Sequence, residues 1–458
     1  MKPFLFVILL FIALVDVSWA RQAESQQDVT AAYRATADQI IDAALADNAA
    51  WNRLARLTDT FGPRFSGSEN LELAIDWILE EMKADGLENV RGEDVMVPHW
   101  VRGEETLEIL IPHKRKLQIL GLGGSVGTGP KGVTGDVFVV TSYDDLEANK
   151  DKAKGKIVLW NVPFTSYGAT VSYRSNGAVK AAEAGAIASL VRSVTPNSLY
   201  TPHTGNSSYA DGVPKIPHAA VTVEDALMMQ RMQDRGQQIR VHLTLDDVWL
   251  PDAKSRNVVG ELVGSEFPDE VIVFGGHIDS WDVGTGAMDD AGGCVAAWEA
   301  LRIMKALGLR PKRTIRVVMW TNEENGMRGG NAYRDAHINE LDNHILAMES
   351  DGGVFAPIGF GFTGSDAAFD TLTQIGKLLQ RIDSGVITKG GGGADIGPIM
   401  AKGVPGMGLN VDGTKYFWYH HTNADYVDKL DPVEVAKSVA TMGVMAFVVA
   451  DMDQRLPR

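Results

Sequence analysis

Beyond residue 255 one unit recurs along the chain: a short apolar run, a tight turn, then a stretch with helical periodicity. Residues 271–275 read as a strand, 292–307 as a helix, 314–321 as a β-branched strand, 330–337 as a helix and 344–348 as another strand. A strand reaches a parallel neighbour only by carrying the chain back across the sheet, so this alternation predicts right-handed crossovers. The fold class it predicts is α/β: a mostly parallel sheet with helices on both faces. Ser365 predicts the N-cap of a helix over 366–381, and Asp431, Pro432 and Glu434 supply N-cap, N1 and N3 of a last helix. Upstream, residues 29–48 and 70–85 read as amphipathic helices, the second presenting Leu71, Ile75, Ile78, Leu79 and Met82 on one face behind a capping box at 66–69. Extended segments are expected at 95–101 and 106–111, with Pro98 marking an irregular position.

Between about residues 120 and 248 the texture changes to short β-rich runs punctuated by glycines. The expected organisation is a leader over 1–20, a first part of the α/β domain over 21–119, a β-rich insert over 120–248 and a second part over 249–458. Gly127, Gly129 and Gly132 match the bare dinucleotide-binding spacing, but that fingerprint must open a helix, and 133–140 continues as a β-rich run. Pro130 also stands where a phosphate loop needs its lysine. Turns account for these glycines.

A formal charge of −16 argues against nucleic acid as a partner. Lys2, the apolar run 4–15 and Ser18-Trp19-Ala20 read as a signal peptide cut after Ala20. No later segment reads as long enough to span a bilayer, so no stable membrane anchor is expected, and the protein is expected to be secreted to a periplasm or an extracellular space. Cys294 is the one cysteine; with Trp298 and Leu301 at helical spacing it reads as a buried thiol.

In open α/β sheets functional groups collect beyond the carboxyl ends of the strands. Those positions hold His277 and Asp279 after the first strand, Glu323 and Glu324 after the second, and Glu349 and Asp351 after the third. Asp289-Asp290 opens a helix, and His420-His421 precedes the last one. Singly, a histidine is usually structural, a Glu-Glu pair solvated and an Asp-Asp pair a cap. Jointly, so many carboxylates at one sheet edge repel each other unless cations neutralise them, and His/Asp/Glu donors without thiolates suit zinc. The ligand count fits two metals sharing a bridging carboxylate. Neighbouring residues in extended backbone point opposite ways, so one of Glu323 and Glu324 can ligate while the other serves as base.

These segments, above all Gly276-His277-Ile278-Asp279-Ser280-Trp281-Asp282-Val283-Gly284 and the Glu323-Glu324 pair, resemble the two-zinc exopeptidase family that includes bacterial leucyl aminopeptidase, aminopeptidase Y and glutamate carboxypeptidase. In the insert, Thr201-Pro202-His203-Thr204-Gly205 and Val213-Pro214-Lys215-Ile216-Pro217 resemble that family's protease-associated domain. The resemblance implies two zinc ions per chain, His277 and Asp351 on one, Glu324 and His421 on the other, and Asp289 as the bridge. It makes Glu323 the general base acting on metal-bound water, Asp279 the partner orienting the His277 ring, His420 a donor to the tetrahedral intermediate, and the Asp289-Asp290 bond cis. It implies hydrolysis of dipeptides or short peptides with free termini, and it leaves room for a homodimer. A carboxylate-rich site alone suits a substrate α-ammonium, and thus an aminopeptidase on longer peptides. The glycine run 390–393 is the expected receptor for a free substrate carboxylate. A glutaminyl-cyclase-like acyltransferase, with one zinc, and a binding protein without turnover are the alternatives.

Overall fold

The computed structural model describes residues 29–46 and 48–458. The leader read over residues 1–20 lies outside the described residues. In chain order the strands are β1 (Glu88–Val101), β2 (Glu105–Ile111), β3 (Arg115–Leu117), β4 (Ile119–Gly121), β5 (Val133–Val140), β6 (Ile157–Trp160), β7 (Ala188–Arg192), β8 (His218–Val221), β9 (Arg240–Leu245), β10 (Val248–Leu262), β11 (Phe267–His277), β12 (Arg313–Trp320), β13 (His344–Glu349), β14 (Pro357–Thr363), β15 (Val386–Lys389) and β16 (Gly406–Val411). They form two eight-stranded sheets.

The larger domain carries the order β1-β10-β12-β11-β13-β16-β14-β15. Its centre, from β12 to β16, is parallel as the alternating pattern requires. With β15 parallel to β14 as well, parallel pairs are in the majority, as expected, but the flanks depart from the pattern. β10 runs antiparallel to both β1 and β12, and β14 antiparallel to β16, so the sheet is mixed. On the β1 side the physical reason is the insert: the chain leaves along β1 and returns along β10, and a segment that goes out and comes back pairs antiparallel.

Helices cover both faces. Helix Pro432–Asp451 packs with Val29–Ala46 and Gly292–Ala306 on one face, in a core that includes Ile40, Cys294, Trp298, Met319 and Phe447. The other face buries Val273, Trp320, Tyr333 and Ile399. Helix Pro432–Asp451 is long and apolar enough to cross a membrane by length and composition, which corrects the reading that no later segment is. With 83% of it buried, it is the core helix of this domain. Ser365 caps its helix through Ala368 N–H, and Asp431 accepts from Val433 and Glu434 N–H. A helix at Ala49–Phe61 follows the first one, where none was expected.

The second sheet has the order β3-β2-β9-β5-β6-β7-β8-β4. It takes in β2 and β3, ahead of the expected start at residue 120, because β9 returns antiparallel to β2 and shuts Leu107 and Ile109 into the second core. Helices Tyr167–Glu183, which takes in part of the helical stretch read near 179–186, and Val223–Asp234 lie among its strands. Gly129 and Gly132 close a turn, with Gly132 N–H on Gly129 O, that leads directly into β5.

Candidate metal centre

Because β12, β11 and β13 are parallel neighbours, their carboxyl ends deliver Glu323-Glu324, His277 and Asp351 to one sheet edge. Asp289 joins from the irregular turn Ala287–Ala291, and its peptide bond to Asp290 is cis. His421 comes from the segment after the short helix Tyr416–Tyr419, with φ at +60°. The structure thus brings together the expected ligand residues, in two groups that share Asp289. His277 Nε2 is 3.2 Å from Asp289 Oδ1 and 3.2 Å from Asp351 Oδ1. His421 Nε2 is 3.4 Å from Asp289 Oδ2 and 3.1 Å from Glu324 Oε2.

The far side of each ring fixes its proton. His277 Nδ1 lies 2.9 Å from the Asp279 carbonyl, and His421 Nδ1 lies 3.2 Å from the Thr204 carbonyl. A carbonyl only accepts, so His277 Nδ1 carries hydrogen; His421 Nδ1 also has the donor Arg174 Nη1 at 3.4 Å, but with the nearer Thr204 carbonyl as its partner it carries hydrogen too, and in the neutral rings both Nε2 lone pairs face carboxylate oxygens. Lone pairs aimed at carboxylates are repulsive unless a cation, a proton or a metal ion, lies between them. Asp289 Oδ2 and Glu324 Oε1 are buried without a hydrogen-bond partner. A small opening lies beside Asp289, Glu324 and His421, walled by Trp281, Val283 and Asp425. The donor set, its geometry and its orphaned oxygens therefore fit a metal.

The titration of these groups reports the same excess of negative charge. Burial pushes Glu323 up to about 8, assisted by the charge of Asp351 and opposed by His277. Glu324 is raised well above the carboxylate range by burial and by Asp289. Burial lowers His421 to about 3. Burial also works against charge on His277, but its hydrogen bonds to Asp289 and Asp351 prevail and raise it.

Sequence reasoning missed several supports. Asp290 accepts from His277 N–H at 3.2 Å and Gly293 N–H at 3.1 Å, and a Cβ on Gly276 would sit 2.0 Å from its carboxylate, which is why glycine stands there. Asp425 accepts from the N–H groups of Met288 and Asp289 at 2.8 and 3.1 Å. Arg64, fully buried, binds the carbonyls of Ile278, Thr285 and Gly286. Arg174 and Thr204 reach the site from the insert. Of these, the aspartates and Thr204 lay within motifs that had been singled out, Thr204 without any role at the metal centre.

Two expectations are corrected. Asp279 orients His277 through its backbone carbonyl; its carboxylate is 3.9 Å from Nδ1 and instead accepts from Glu323 N–H at 3.0 Å and Glu324 N–H at 3.4 Å. The glycine run 390–393 packs against an anion of the protein's own. Ala394 and Ile396 N–H bind Glu349 at 2.9 Å each, and a Cβ on Gly393 would lie 2.1 Å from that carboxyl carbon. His420 stacks on His421 at 3.6 Å between centroids, its Nε2 3.8 Å from Asp289 Oδ2 and its Nδ1 buried without a partner.

The profile of peptidase family M28 matches residues 257–446. Over 413 residues, 90% of this chain and 88% of the other, the sequence is 50% identical to carboxypeptidase Q of Bos taurus. A crystal structure of a peptidase M28 precursor from Shewanella amazonensis superposes with a TM-score of 0.90 at 33% identity, covering 94% of this chain and 99% of that one. A zinc aminopeptidase from Bacillus subtilis shares the fold, with a TM-score of 0.68 at 20% identity over 89% of this chain and 96% of its own.

Proposed function

From the premise that this chain belongs to peptidase family M28 and is a metallopeptidase, we propose that it is a zinc-dependent exopeptidase hydrolysing dipeptides or short peptides with free termini. The observation that carries this reading is the shared carboxylate: Asp289 turns one oxygen to His277 and the other to His421, as a bridge between two cations requires. His277 and Asp351 would hold one zinc and Glu324 and His421 the other. Zinc bound there supplies Lewis acidity toward the scissile carbonyl and the attacking water.

The chain's own groups do the rest. Glu323 takes the proton from the water on its carboxylate and returns it to the departing amine, a role that its burial among Asp351, Asp279 and Asp289 supports by raising its proton affinity. His420 is proposed as the donor to the oxyanion. The acidic opening suits a substrate α-ammonium, held by charge-assisted hydrogen bonds. A second reading, an aminopeptidase acting on longer peptides, is favoured by the Glu349 carboxyl group, which abuts Gly393 and already occupies the amides of Ala394 and Ile396 next to the run.

The second sheet and its helices are proposed as a protease-associated insert, and residues 1–20 as a signal peptide directing secretion. Elemental analysis joined to a matched substrate set tests the proposal. Two zinc ions per chain are expected, with cleavage of a free dipeptide faster than of its amide and much faster than of its N-acetyl form. Equal rates for dipeptide and amide select the aminopeptidase. One zinc or none, with no hydrolysis, overturns the reading.

A further inference from the structure

The segment that carries His421 has several of its polar groups taken by the insert. Thr195 Oγ1 donates to Phe417 O at 2.8 Å, His203 Nδ1–H to His420 O at 2.8 Å, and Thr204 N–H to His421 O at 2.9 Å. His421 answers through Nδ1–H to Thr204 O. His203 is buried with Nε2 unpartnered, so the ring's one side-chain hydrogen bond is spent on the segment that bears the metal ligand. Arg174 closes the arrangement from behind: Nη1 donates to Thr204 O at 3.4 Å and lies equally 3.4 Å from His421 Nδ1, Nη2 donates to Tyr167 Oη at 2.9 Å, and the guanidinium lies against Gly205, where a Cβ would sit 2.3 Å from Cζ.

We propose that the insert completes the metal centre, with His203 and Arg174 as positioning residues that set Thr204 O so that His421 keeps its proton on Nδ1 and aims Nε2 at Asp289 and Glu324. The inference rests on the two-zinc reading above. Ligand histidines lose metal affinity by about 10- to 100-fold when the group that holds their second nitrogen is disturbed. Here that group belongs to a different sheet from the other ligands, so the disturbance falls on one of two cations.

The test is a zinc titration against a competing chromophoric chelator, read as two affinities, on the full chain and on His203→Leu, His203→Asn and Arg174→Met. The wild type binds two zinc ions. His203→Leu and Arg174→Met hold the first as tightly as the wild type and the second about 10- to 100-fold more weakly. His203→Asn, whose amide can donate from the position of Nδ1, restores the second affinity. Circular dichroism identifies folded variants, and should His203→Leu fail to fold, Arg174→Met decides by the same titration. Wild-type affinity for both zinc ions in the folded disrupting variants overturns this inference alone. A wild type that binds fewer than two overturns the two-zinc reading and this inference with it.

Discussion

The two halves of the site are built on different principles. His277 and Asp351 stand at the ends of adjacent parallel strands, and the backbone that carries them is paired within one sheet. Glu324 and His421 sit on turns. Asn322, before the glutamates, has φ at +66°, and His421 itself is left-handed. Side chains normally avoid that region, and such residues persist only where the surroundings over-determine them. For Glu324 the determinant is the Asp279 carboxylate, and for His421 it is the insert. One half is thus a property of the sheet. The other depends on contacts made from outside it.

The sharpest way to separate chemistry from scaffolding is Glu323→Gln. Turnover should fall by about 10²- to 10⁴-fold with zinc content unchanged, the usual worth of a general base. Loss of zinc instead would mean that base and ligand have been exchanged. Asp279→Asn should weaken the turn-built half specifically, by about 10- to 100-fold in zinc affinity, because its carboxylate holds the amides of Glu323 and Glu324 while His277 keeps the backbone carbonyl. Equal weakening of both zinc ions would erase the distinction. Asp425→Asn acts on the amides of Met288 and Asp289, hence on the bridge, and should weaken both by about 10-fold; calorimetric titration separates the cases.

The smallest effect is on stability. Burial raises Glu323 to about 8 and raises Asp425 and Glu349 to about 7. In the unfolded chain these groups release their protons near pH 4, whereas the metal-free fold retains them until pH 7 to 8. The unfolded state then binds fewer protons across that window, so metal-free stability should fall as pH rises from about 5 to 8. The melting temperature of zinc-loaded protein should fall less over the same range, since cations favour the ionised carboxylates. Parallel slopes for both forms would remove this account.

Much of the sheet-built half was legible in the sequence because strand ends are locally marked: an apolar run stops and a histidine or carboxylate follows, as at His277 and Asp351. Burial of Cys294 followed from the same local periodicity. The direction of β10 was not legible, since it is fixed by partners on both sides rather than by its own residues. Helix Ala49–Phe61 was missed although Leu54 and Leu57 give it a buried face, because it follows the previous helix without a marked turn. The glycine run was rightly read as lying close to an anion, but nothing local distinguishes a substrate from Glu349. Thr204 lay in a quoted motif, but its contact with His421, like that of Arg174, could not have been found by pattern, because His421 lies more than two hundred residues further along the chain.

That separation also governs when the protein can first act. Thr204 and His421 are 217 residues apart, and the bond between them closes only after the insert has folded and the C-terminal segment has docked on it. A growing or partly assembled chain can present the sheet-built half but not its counterpart, so hydrolytic competence arrives at the end of tertiary assembly. In refolding, uptake of the second zinc should lag the recovery of helical circular dichroism.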